Sequence, residues 1–156
     1  MSATTSPQIK PIVPFFATIE NALTPIAEPM VRIVTGALLL PHGAQKLFGL
    51  FGGYGVEATG QFFATKLGLP ASFALLAGLI EFFGGLFLMV GFATRLVGAL
   101  VFGVMAVAAV TVHLNLGFFW TSGGYEYPLL WGIVALSFAI RGGGRFSVDA
   151  AIGYEI

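Results

Sequence analysis

Five polar side chains interrupt an otherwise apolar chain in a pattern that could hold a hydrogen-bonding ligand and move protons. His42, Gln45 and Lys46 fall within PHGAQK, Glu81 stands alone in GLIEFFGG, and His113 closes AVTVH. A lysine at the centre of a membrane span costs about 2.5–3.5 kcal/mol on insertion scales, so such groups normally face a bundle interior or a wet cavity and pair there. An imidazole, an ammonium and a carboxylate together can give, take and relay protons. Arg95, Trp120, Tyr125 and Glu126 are secondary candidates near the ends of the apolar segments. Residue types alone assign no catalytic group.

Composition identifies the solvent in which these residues must be positioned. Of the 156 residues 57% are hydrophobic and 9% charged, and the mean hydropathy is +0.93. So little charge cannot coat a soluble surface, and the apolar residues cluster in blocks long enough to cross a bilayer. The expected class is an all-α polytopic membrane protein, a four-transmembrane-helix bundle in a lipid bilayer. Seven basic and seven acidic residues give no net charge, which points away from nucleic acid. Cysteine is absent, so thiol redox catalysis, thiolate metal sites and cysteine-held iron–sulfur clusters are excluded for this chain. There is no phosphate-cradling glycine loop, nucleophile elbow or HExxH.

Four spans are read at about 30–51, 71–94, 95–119 and 127–141, within a domain covering 30–145. Pro70 and Pro128 stand where helix starts tolerate proline, and the glycines at 142–144 stop the last helix. Residues 1–29 are read as an N-terminal interfacial arm rather than a signal peptide, because prolines at 7, 11, 14, 25 and 29 break it repeatedly. Within the arm Ile12, Phe15, Phe16, Ile19 and Leu23 recur at near-helical spacing, as expected for a short amphipathic helix on the membrane surface. Residues 146–156 are read as a short cytoplasmic tail. Lys10, Arg32, Arg95, Arg141 and Arg145 would share one side against Lys46 and Lys66 on the other, so the positive-inside rule places both termini in the cytoplasm. Phe118, Phe119, Trp120, Tyr125 and Tyr127 would then form an outer aromatic belt, while Phe62, Phe63 and Leu67 suit either an interfacial amphipathic turn or an ordinary loop.

Depth brings the motifs together. With Arg32 and Arg95 taken as the inner boundary and a rise of 1.5 Å per residue, Lys46 and Glu81 both lie about 21 Å up, His42 about 15 Å and His113 about 27 Å. His42, Gln45 and Lys46 share one stripe of the first helix with Thr35 and Gly49. Ala74, Gly78, Glu81 and Gly85 share a face of the second, and Phe102, Ala106, Ala109 and His113 a face of the third. Small residues admit close helix approach, so Glu81 and His113 are expected to face inward. The prediction is a Lys46–Glu81 pair with Gln45 and His113 nearby. Competing readings are a snorkelling Lys46, a Glu81 hydrogen-bonded only for packing, His113 as an interfacial helix cap, and His42 satisfying a carbonyl freed by Pro41. No ligand pair has dedicated metal spacing, so no metal site is expected, and the 12 Å depth difference is awkward for haem ligation by His42 and His113.

PHGAQKLFG, the run GLIEFFGGLFLMVGFATR from Gly78 to Arg95, and a histidine late in the third helix resemble the DoxX family of small four-helix inner-membrane proteins. The resemblance covers about Val31 to Arg145. It implies a bacterial inner-membrane component of respiratory or sulfur-redox systems, with Gln45, Lys46, Glu81 and Arg95 at signature positions. Family members are similar to a subunit of a thiosulfate:quinone oxidoreductase, and others look like partners in a membrane-bound oxidative-stress complex. The resulting expectation is a redox-associated subunit without an intrinsic cofactor whose polar cluster binds a quinone-like molecule. Lys46 or His113 would donate to a quinone carbonyl and Glu81 would relay protons. The expected partners are other membrane or redox subunits, or further copies in a homo-oligomer. A structural or assembly subunit and a small-solute or proton-coupled carrier remain the alternatives.

Overall fold

The computed structural model describes residues 12–156, all of whose regular structure is helical. Lys10 and the prolines at 7 and 11 lie outside the described residues. Helix α1 runs Pro14–Phe48, α2 Gly55–Phe62, α3 Ser72–Val90, α4 Thr94–Ala108, α5 Glu126–Arg141 and α6 Val148–Ile152. A π-turn at Phe63–Leu67 follows α2, and α4 continues through a π-turn at Ala109–His113 into a 3₁₀ turn at Leu114–Leu116. Three helical stretches are long and apolar enough to cross a membrane: Pro14–Phe48, Ser72–Val90 and Thr94–Leu116. The fourth expected span corresponds to α5, which at 16 residues is about 24 Å long.

The arm and the first span are one helix. The prolines at 25 and 29, read as breaks, sit inside α1 together with Pro41. A proline removes one helix hydrogen bond and crowds the preceding turn, yet it bends or strains a helix without ending it where the surroundings hold the rest in line. Pro29 is buried, whereas almost all of α1 before it is exposed.

Two tight helix pairs build the bundle. Helix α1 packs along α3 and α4 along α5, while α3 meets α4 over a much smaller area. Glycines explain the tight contacts: a methyl group at Gly36 would collide with the carbonyl of Gly85 on α3, one at Gly43 with the backbone of Phe82, and one at Gly98 with the backbone of Ala135 and Ala139 on α5. Leu39, Leu88, Ala93, Val97, Val101, Ala135 and Phe138 form the buried core. These residues cluster toward the end that carries the α3–α4 turn, referred to below as the closed end. Leu79, Leu86 and Ile133 are exposed on the outer faces, as expected for helices bathed in lipid.

An arginine closes each pair at that end. Arg32 is only 1% exposed and does not reach headgroups as the depth estimate assumed. Its Nη1 donates to the carbonyls of Leu88 and Met89, its Nη2 to Phe146 O at 2.6 Å, and its Nε lies 3.3 Å from Glu28 Oε1. The last carbonyls of α3 have no partner within their own helix, so a cation there satisfies both the acceptors and the helix dipole. Arg95 does the same for α5: it donates to the carbonyls of Ala139, Ile140 and Arg141 while its Nε pairs with Glu155 at 2.6 Å.

The C-terminal segment is built into the closed end and does not trail as a free tail. Asp149 is buried, and its two oxygens accept the backbone N–H groups of Ala93 at 2.7 Å and Thr94 at 2.9 Å. Ala93 has φ 48°, a left-handed conformation costly for a residue with a side chain. The carboxylate caps the start of α4 and holds that conformation in place.

Candidate functional site

Away from the closed end the two helix pairs part and leave two cavities. The first, about 630 Å³, opens between α3 and α4 beneath the α2 segment, with Leu76, Ile80, Leu100, Val104, Phe62 and Phe63 among its walls. The second, about 550 Å³, lies between α1, α4 and α5 and is lined by Thr35, Leu38, Leu39, His42, Met105 and Trp131 among others. Lys46, Glu81 and His113 line both. These three side chains therefore stand where the cavities meet.

Lys46 Nζ lies 2.6 Å from Glu81 Oε2 and also reaches the carbonyl of His42 at 3.5 Å. The pair joins α1 to α3, at the matching depth that the arginine spacing gives. Glu81 is buried, with a side chain 5% exposed, and Lys46 is partly buried at 23%. Neighbouring small residues make room for it. Ala74, Ala77, Gly78, Gly84 and Gly85 bury the same side of α3, and Gly78 lies against Leu47 and the Lys46 stem.

His113 reaches the site by a route that the helical spacing conceals. The buried face of α4 carries Thr94, Val97, Gly98 and Val101, followed by half-buried Met105 and Ala108, whereas Ala106 is exposed. The expected face through Phe102 and Ala106 is rotated away from this one. Continued at α-helical pitch, the buried face would present Val112 next. The π-turn at Ala109–His113 inserts one residue and brings His113 onto it. The imidazole Nδ1 is hydrogen-bonded to Gly123 O, tying the end of this helix to the loop before α5.

The remaining predicted residues are distributed unevenly. Gln45 lines the first cavity and its Nε2 donates to Phe51 O at 3.1 Å. His42 lines the second cavity, and among the described residues its ring makes no hydrogen bond, so it does not satisfy the carbonyl freed by Pro41. Arg95 is at the closed end, remote from both cavities. Trp120 and Tyr125 belong to the α4–α5 loop and Glu126 to the first turn of α5, and none of the three lines either cavity: Trp120 stacks on Tyr127 with ring centres 5.2 Å apart, Tyr125 packs edge-on against Phe118, and Glu126 accepts the N–H of Trp120. Among the described residues no three His, Asp or Glu side chains gather to hold a metal ion. Phe62, Phe63 and Leu67, ambiguous in the sequence, line the first cavity. Trp131 was missed, and its position one turn after Pro128 on a helix read only for length carried no signal.

The fold and the site define a small helical membrane protein with an acid–base pair held between its spanning helices, at the junction of two cavities. The family described as DoxX matches residues 29–114, a stretch that includes Gln45, Lys46, Glu81, Arg95 and His113. The chain is 32% identical over 120 residues to a Bacillus subtilis (strain 168) protein named "Putative oxidoreductase CatD", an alignment covering 77% of this chain and 82% of that protein. It belongs to the DoxX family. No solved structure matches it.

Proposed function

We propose that this protein is a redox-associated membrane subunit that receives a quinone-like molecule in the cleft between α3 and α4, with the headgroup against Lys46, Glu81 and His113. One observation carries the reading: the Lys46–Glu81 pair and His113 sit on the wall of a largely apolar cavity of about 630 Å³. That combination of apolar space and a few convergent polar groups suits a lipid-borne ring with hydrogen-bonding oxygens. A relative named as an oxidoreductase supports the redox association. The apolar walls from Leu100 to Val107 take the tail, and His113 and Glu81 exchange protons with the ring oxygens. Electrons come from a partner subunit.

In this reading α5 is the fourth span. Arg95 holds the end of α5 beside the start of α4, so the chain returns to the closed end. Arg95, Arg141 and Arg145 mark that end as cytoplasmic in a bacterial inner membrane, and Lys46 and Lys66 belong to the opposite side.

The test is purification in mild detergent, mass spectrometry for co-purifying quinone, and titration with a benzoquinone carrying a ten-carbon tail. The wild type should melt several degrees higher with saturating ligand, and Glu81→Gln should lose most of that shift. No co-purifying quinone together with no ligand-dependent shift refutes the proposal.

A further inference from the structure

The donors and acceptors around the ion pair bear on the oxidation state of a bound ligand. An oxidised quinone presents two carbonyl oxygens and needs donors; its reduced form presents two hydroxyls and needs acceptors. The donors in the α3–α4 cleft are largely committed. Lys46 directs one proton to Glu81 Oε2 and another toward the carbonyl of His42. One of the two Gln45 amide N–H groups donates to Phe51 O, and the Thr111 hydroxyl donates back to Val107 O at 2.8 Å.

His113 is decided by its partner. A carbonyl oxygen can only accept, so the Nδ1 that meets Gly123 O carries the hydrogen. In the neutral imidazole Nε2 is then a bare acceptor, and His113 lines the cleft. Glu81 makes its one hydrogen bond among the described residues through Oε2, which leaves Oε1 as a second acceptor, and Gln45 Oε1 is a third. Against these three stand two donors, the remaining proton of Lys46 and the second amide N–H of Gln45. The hydroxyls of Tyr54 and Thr59, also on the cavity wall, can donate or accept and do not discriminate.

We infer that the cleft selects the reduced, hydroxyl-bearing form of its ligand, a hydroquinone, over the oxidised quinone. The inference rests on the ligand reading above. Glu81 Oε1 and His113 Nε2 accept the ring hydroxyls, whereas the oxidised ring would leave both facing carbonyl oxygens. Acceptors facing acceptors are left unpaired in an apolar site, the situation that produces the strongest discrimination between ligands differing by a hydrogen-bonding group.

The experiment measures the dissociation constants of the same ten-carbon-tailed benzoquinone, oxidised and chemically reduced, with the full chain in lipid nanodiscs under argon. The reduced form should bind at least tenfold more tightly, raising the midpoint potential of the bound two-electron couple by about 30 mV relative to the free couple. In His113→Phe that ratio should fall several-fold toward unity, an effect that a packing role for His113 would not produce. Equal affinities, or tighter binding of the oxidised form, overturn the inference while leaving the ligand reading intact. Binding of neither form overturns both. Should His113→Phe fail to fold, the wild-type ratio alone decides.

Discussion

Cutting the Lys46–Glu81 pair from each side in turn should give unequal costs. Lys46→Met strands a carboxylate that is 5% exposed, with no other cation bound to it among the described residues. Removing one partner of a buried pair typically costs about 3–5 kcal/mol, because the remaining charge keeps its desolvation penalty and loses its compensation. Glu81→Leu strands an ammonium that is 23% exposed and lies two residues from the end of α1. That side chain can swing its head toward the nearer membrane surface, so the cost should be that of a lost charged hydrogen bond, about 1.5–3 kcal/mol. The double variant removes both charges and keeps the volume, and should lie within about 1 kcal/mol of the wild type. Reversible unfolding in mixed micelles, followed by circular dichroism across a denaturing-detergent series, measures all three. The reasoning is refuted if the two single costs simply add in the double variant, or if Glu81→Leu proves the more damaging.

Two further predictions concern the closed end. Asp149→Ala removes the acceptor for two buried N–H groups and the cap that holds Ala93 left-handed, and should lower stability by about 2–3 kcal/mol in the same unfolding series; unchanged stability would mean that water replaces the carboxylate there. Arg32→Met frees the carbonyls of Leu88, Met89 and Phe146 and leaves the buried Glu28 carboxylate without its cation, at a cost of about 3–5 kcal/mol, and Arg32→Lys should recover little of it because an ammonium cannot reproduce the planar fork; full recovery by lysine would refute that geometry.

The distances along the helices were easier to read from the sequence than their faces. Lys46 and Glu81 could be paired because both stand fourteen residues from an arginine, and rise per residue is nearly constant in any α-helix. That Arg32 turns inward does not spoil the match, since it still lies level with the α3–α4 turn. The facing of His113 failed for a local reason: a π-turn shifts every later residue by one position, and nothing in AVTVH marks where the extra residue enters. The prolines of the arm misled in the other direction, because the hydrogen bond each one removes is a single one among the many that run along a 35-residue helix. Asp149 was invisible as a cap, since the N–H groups it serves lie 55 and 56 residues earlier and no short-range pattern links them. Trp131 and His42 join the second cavity only through the way α1 and α5 diverge, which is a property of the assembled pairs.

The Asp149 cap also sets an order of events during synthesis. Thr94 leaves the ribosome 55 residues before the carboxylate that will accept its N–H, so α3 and α4 enter the membrane with their connecting turn uncapped. Until α5 has returned the chain and Asp149 has docked, that turn carries two unsatisfied donors and an unsupported left-handed alanine. The closed end is therefore completed last, and a nascent chain stopped anywhere before residue 149 leaves that turn loose and open to proteolysis.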